Sequence, residues 1–220
     1  MGHRALIAYE RPDGRYNCHY SHWGGLHLRL KHEITPAAPF GGKDGDSAWA
    51  RELFEQLIEG APDPDLECYL SEEDPPSTTV DPVPRVRELT LEEIITEQLD
   101  FLHHEAFYVV DTDFEVTAYR TLWFGLQYDS ETVEQGETVG NGALATVRWY
   151  DGKPVGDGHL QGQFAALKDV VGDMLDKGVF TPSTAIQYLK RKLAERVGDR
   201  QELLIPTGES PFETASLGKS

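Results

Sequence analysis

Cysteine is scarce: Cys18 and Cys68 are the only two in 220 residues. That is too few for a disulfide framework, so two reduced thiols are the simple reading and burial of apolar surface has to hold the fold. No apolar run approaches the ~18 residues of a membrane span. The opening Met1-Gly2-His3-Arg4 reaches a Pro12-Asp13-Gly14 turn without the apolar region of a signal peptide. Bases are outnumbered, 20 against 38 acids. That deficit excludes a protein that mainly grips nucleic-acid backbone, because phosphate binding needs a basic footprint. HExxH, CxxC and HxH patterns are missing, as are a GxxxxGK[ST] phosphate loop and a GxSxG nucleophile elbow.

What is present is a strongly acidic chain with enough apolar residues for a core. The formal net charge is −18, with 39% hydrophobic and 10% aromatic residues, which points to a folded domain rather than a disordered acidic tail. Such an excess repels itself in dilute buffer. In molar salt the Debye length falls to about 3 Å, the repulsion is screened, and the acids keep the surface hydrated. With 12 Arg against 8 Lys, the composition reads as a cytoplasmic protein of a salt-in halophile, with no membrane partner.

The patterning predicts strands over 4–9 and 16–22 around the Pro12-Asp13-Gly14 turn. Residues 26–34 fit either period but tilt toward helix for lack of β-branched residues. A helix from Ser47 to Glu59 buries Trp49, Leu53 and Leu57, joined by Phe54 and Ile58. Residues 61–88 hold six of the thirteen prolines and read as an excursion, with a short strand at 66–70. Thr90 and Glu93 have capping-box spacing and open a helix expected to end near His103-His104. Strands follow at 106–110 and 115–124, an acidic loop at 127–142, and a strand at 143–150 before the Asp151-Gly152 turn. Two helices come next, over 161–177 and from Thr181 (N-cap) and Pro182 (N1). Leu203 to Ile205 offers an edge strand, and a frayed tail starts near 208. Segregated strands and helices predict an α+β fold, an antiparallel sheet with helices packed mainly on one side, in a single domain over 1–220.

Chemistry concentrates at the start. Five of the eight histidines, His3, His19, His22, His27 and His32, fall in the first 32 residues. Imidazoles suit a divalent metal such as zinc, and the candidate ligands are His3, His19, His22 and His27. Strand geometry opposes the set, because residues three apart point to opposite faces; surface and cap histidines are the plainer reading. Cys18 and His19, as neighbours on a strand, diverge and form no dyad, which leaves Cys18 as a small core residue. Asp111, Asp113 and Glu115 alternate as a cation site would want, but lack EF-hand spacing and read as a hairpin turn. Lys190, Arg191, Lys192, Arg196 and Arg200, interrupted by Glu195 and Asp199, form the one basic cluster. They are the candidate contacts for an acidic partner or a nucleic acid, against the plainer reading of a solvated helix face.

The stretch from Met1 through Arg11-Pro12-Asp13-Gly14, followed by His19-Tyr20-Ser21-His22-Trp23-Gly24, resembles an uncharacterised protein family of haloarchaea and their viruses, a domain of unknown function. More distantly it is similar to an uncharacterised phage and bacterial group whose turn acid is replaced here by Gly24. The resemblance implies an accessory role, such as viruses and mobile elements carry, and brings no catalytic residue with it. Three function classes stay open: a non-enzymatic binding or regulatory protein with a protein or small-molecule partner; a metal-dependent hydrolase using His19, His22 and either His3 or His27; and a nucleic-acid-associated protein working through the 190–200 helix.

Overall fold

The structure, a computed structural model, describes residues 2–42, 48–60, 78–128, 133–197 and 201–206. Its strands are β1 (Ala5–Glu10), β2 (Tyr16–Ser21), β3 (Val86–Leu89), β4 (Ala106–Val110), β5 (Val116–Trp123), β6 (Leu126–Tyr128), β7 (Val133–Gln135), β8 (Gly142–Thr146), β9 (Arg148–Tyr150), β10 (Lys153–Val155) and β11 (Leu203–Leu204). The helices are α1 (Leu30–Glu33), α2 (Ala48–Glu59), α3 (Leu91–Glu93), α4 (Asp157–Asp176) and α5 (Pro182–Val197). Seven strands join in one sheet of order β11-β8-β5-β4-β1-β2-β3, while β6–β7 and β9–β10 make separate two-stranded ladders. The sheet is mostly antiparallel, as in the β1–β2, β2–β3 and β8–β11 pairs, with β1–β4 parallel. The fold is α+β, as the segregation of strands from helices predicts.

The chain divides into two compact units, Met1–Ile94 with His104–Tyr119, and Ile95–His103 with Arg120–Ser220. In the first, β1 is the buried axis: Ala5, Leu6, Ile7, Ala8 and Tyr9 are each 0–1% exposed. Its unbroken apolar run is what a strand covered on both faces and both edges requires. One face carries Ile7 and Tyr9 of β1 with their register partners His19 and Asn17 of β2. Helix α2 lies on this face, burying Trp49, Ala50, Leu53 and Leu57 and setting Phe54 5.2 Å from the Tyr9 ring. The predicted strand at 66–70 lies outside the described residues, but 86–89, inside the expected excursion, forms edge strand β3.

Two local predictions are corrected. Residues 26–34 are helical but broken into a 3₁₀ turn at Leu26–Leu28 and the short α1, because His27 and Leu28 both take φ of 53°. The capping box at Thr90 is present, with Glu93 N donating to Thr90 Oγ1 at 3.2 Å and Thr90 N to Glu93 Oε2 at 2.7 Å. The helix nevertheless runs one turn and widens into a π-turn over Ile94–Gln98. Ile94 and Ile95, at its start, are both fully buried. Asp100 Oδ1 then accepts the amides of Leu102 and His103 and ends the segment short of its predicted limit.

The second unit is built on α4 and α5. Leu160, Phe164, Leu167 and Val171 meet Ala185, Leu189, Leu193 and Val197 over Leu122, Phe124, Leu126, Ala143 and Ala145. Thr181 Oγ1 caps α5 by accepting Thr184 N at 3.3 Å, with Pro182 behind it. The predicted strand over 143–150 is two strands, parted at buried Val147, so that β9 pairs with β10 across Asp151 and Gly152, both at positive φ. Helix α4 starts at Asp157, four residues before the predicted 161. Its first residue is fixed by Arg120, whose Nε donates to Asp157 Oδ1 at 2.8 Å and Nη2 to Oδ2 at 2.7 Å. The carboxylate is thereby held at the helix N-terminus, where the macrodipole favours it.

The Arg120 and Asp157 side chains are 7% and 14% exposed, so removing one partner strands a buried charge, at a cost of ~3–5 kcal/mol. Arg120→Ala is expected to lower the unfolding free energy by that amount in denaturant titration. Arg120→Met combined with Asp157→Leu is expected to recover much of the loss.

Candidate functional site

Among the predicted ligands, His19 corrects the plainer reading of a surface histidine. It is 1% exposed on β2, and its Nδ1–H donates to the Asp81 carbonyl at 2.9 Å. The Tyr9 ring stands edge-on at 5.1 Å and Phe40 lies tilted at 5.6 Å. Its neighbours on the same face, Ser21 and Asn17, donate to the carbonyls of Thr79 (2.7 Å) and Leu57 (3.0 Å). Together these three side chains tie α2 and the segment around residues 79–81 to the sheet. Burial pulls the His19 imidazole down to about 4 from an ordinary 6.5; the Asp81 contact opposes this and Arg87 assists it. It is a neutral structural group.

His3 and His22 lie elsewhere, around Trp23. The chain leaves β2 at Ser21 and turns back at Gly24-Gly25 toward the start of β1. Gly25 N donates to the His3 carbonyl at 2.7 Å, and the buried Tyr108 hydroxyl donates to the Gly24 carbonyl at 2.6 Å. A Cβ on Gly25 would stand 3.0 Å from the carbonyls of His3 and Arg4, and one on Gly24 would meet Leu30 and Ser21. A side chain at either position would force these neighbours to shift, so glycine suits the close approach. Trp23 is pinned outward by it and is 48% exposed. The His22 ring is edge-on to the indole at 5.0 Å, and the His3 ring is tilted at 6.0 Å.

Both imidazoles are oriented by second partners. His3 Nδ1–H donates to Glu105 Oε2 at 2.8 Å, and the Tyr20 hydroxyl hydrogen-bonds His22 Nδ1 at 3.2 Å. Tyr20 in turn carries the Arg85 guanidinium 3.9 Å above its ring and has His104 at 6.4 Å. Gly2 lies against the His22 ring, where any Cβ would collide with it. The result is a continuous surface of Trp23, His22, His3, Tyr20, Arg85 and Glu105. In the sequence Trp23 stands out only within the stretch that carries the family resemblance; the signal available was an aromatic residue directly before Gly-Gly at a strand exit.

The remaining candidates are dispersed. His27 is exposed in the broken helical turn. Among the described residues, no three His, Cys, Asp or Glu side chains gather as metal ligands would. Cys18 is buried, and its thiol is pushed up to about 12 by burial, against the pull of Arg85. It has no thiolate character at neutral pH; Cys68 lies outside the described residues. Asp111 Oδ1 accepts the amides of Asp113 and Glu115 at 3.0 and 2.7 Å, so that triplet is a hairpin turn as predicted. On α5, Lys192 pairs with Glu195 at 2.6 Å, Arg196 donates to the Gln163 carbonyl at 3.0 Å, and Lys190 and Arg191 lean over Phe124 and Tyr188. Four of the five bases thus turn toward partners within their own unit, and Arg200 lies outside the described residues.

His19 gives a pH dependence of known sign. Its folded pKa is depressed, so the unfolded chain protonates first as pH falls. The stability it contributes is complete above 6.5 and is lost as pH falls to about 4, amounting to about 3 kcal/mol. Urea unfolding of the wild type and His19→Gln at pH 7.5 and 4.5 is expected to show a steeper acid loss in the wild type by about that margin; equal losses would refute the buried neutral imidazole.

No curated protein and no solved structure matches the chain. One family does, over residues 1–205, which is nearly all of the described structure including the Trp23 surface and both units. The chain belongs to the family of unknown function DUF6735.

Proposed function

We propose that the chain is a non-enzymatic accessory protein that docks on a protein partner through the Trp23 surface, in a salt-rich cytoplasm. The observation that carries this reading is the half-exposed indole held outward between two oriented imidazoles beside a close-packed glycine pair. A large ring turned to solvent gains nothing from burial in the folded monomer. Trp, Tyr and Arg are the residue types that dominate binding hot spots, and here Trp23, Tyr20 and Arg85 share one surface, bordered by Glu105. A polar border around an apolar centre is also the usual anatomy of a protein interface. The composition supports the salt-rich setting, since −18 charges need screening in the compact state.

Wild type and Trp23→Ala, used as bait in extract of the source cell, are expected to differ in one recurrent prey. That prey, once purified, is expected to bind Trp23→Ala at least tenfold more weakly. Identical captures, or turnover of any substrate abolished by a single histidine change, would overturn the reading. The thermal midpoint is expected to rise steadily from 0.1 to 3 M KCl as the Debye length shrinks from about 10 Å to under 3 Å. A flat or falling curve would remove the salt-rich setting.

A further inference from the structure

The β9–β10 ladder stands outside the main sheet. Its register pairs Tyr150 with Lys153 and Arg148 with Val155. Alternation along the strands puts these four on one face and the half-buried Trp149 and Pro154 on the other. All four of the first face are exposed, Tyr150 most of all at 78%. Among the described residues, no ion pair, side-chain hydrogen bond or ring contact engages the side chains of Arg148, Tyr150 or Lys153. The Asp151-Gly152 turn, with φ of 50° and 67°, is of the tight kind that rigidifies a hairpin.

The local charge opposes that of the chain. Residues 148–155 hold two bases and one acid, in a protein with almost two acids per base. The face therefore combines an open aromatic ring with one cation directly across the ladder and a second about 7 Å along the strand. A ring for a base and flanking cations for its phosphates are the elements of sequence-tolerant single-strand recognition. The acidic remainder of the surface repels a long polyanion, which limits contact to a few nucleotides and excludes a duplex-wide footprint.

We propose that the β9–β10 hairpin is a short-footprint binding site for single-stranded nucleic acid, with Tyr150 stacking on a base and Arg148 and Lys153 contacting the adjoining phosphates. This goes beyond docking through Trp23 and uses none of its residues.

Fluorescence anisotropy with a labelled twelve-residue oligothymidylate, from 0.3 to 2 M KCl, tests it. The expected result is saturable binding whose log K falls against log salt with a slope of about −1.4, the value for two phosphates on a single strand. Tyr150→Ala is expected to weaken binding about tenfold or more. Arg148→Gln with Lys153→Gln is expected to bring the slope near zero, and Trp23→Ala to change nothing. Matching far-UV circular dichroism and thermal midpoints show that the variants are folded, as substitution of exposed side chains predicts. The proposal is overturned by absence of binding up to about 1 mM strand, a threshold set by ordinary weak affinities. It is equally overturned by binding indifferent to Tyr150→Ala, or by polyglutamate competing as well as the oligonucleotide, which would make the hairpin an anionic-peptide site.

Discussion

Strand β1 is enclosed on both faces and along both edges, and the first unit is arranged around that enclosure. A strand buried this way needs a backbone partner on each side, which β2 and β4 provide, and it needs cover above and below. The cover on the α2 face includes chain that forms no ladder, so its carbonyls have to find donors among side chains. Asn17, His19 and Ser21 meet that demand for Leu57, Asp81 and Thr79. The interior polar residues of β2 are therefore consequences of covering β1. Their geometry is nearly complete: the Asn17 Oδ1 atom is the one buried side-chain oxygen among the described residues without a partner.

Both surfaces assigned to binding occur where strand regularity stops. After β2 the Gly24-Gly25 return forces Trp23 outward; after β8 the break at Val147 releases the β9–β10 ladder. In each case the local backbone, rather than any excess of apolar residues, exposes the aromatic side chain. The two differ in electrostatic character. Trp23 is bordered by paired groups, His3 with Glu105 and His22 with Tyr20, whereas the cations of the Tyr150 face have no partner among the described residues.

Local rules read the helices well where a terminus has a chemical marker. Thr181-Pro182 and Thr90 with Glu93 were legible because caps act on the next three residues alone. The β1–β2 pair was legible because Pro12-Asp13-Gly14 separates an apolar run from one in which Tyr16, Cys18 and Tyr20 alternate with polar residues. Tertiary demands escaped notice: the π-turn over Ile94–Gln98, the start of α4 set by Arg120 from a different element, and strand β3 inside a proline-rich excursion. The histidine density of the first 32 residues was visible, but not its partition. Period-2 alternation separated His19 from its neighbours on β2. The burial of His19 depends on Asp81, some sixty residues further on, and the alignment of His3 beside Trp23 depends on the Gly24-Gly25 return.

The parallel register of Ala5 with Ala106 bears on how the chain is made. Strand β1 is buried along almost its whole length, and one of its two partners lies roughly a hundred residues downstream, a pairing of high contact order. At typical synthesis rates that delay is about 5–20 s. Throughout it, Leu6, Ile7 and Ala8 have only the hairpin with β2 to shelter them. The nascent chain thus presents an unfinished sheet edge for seconds.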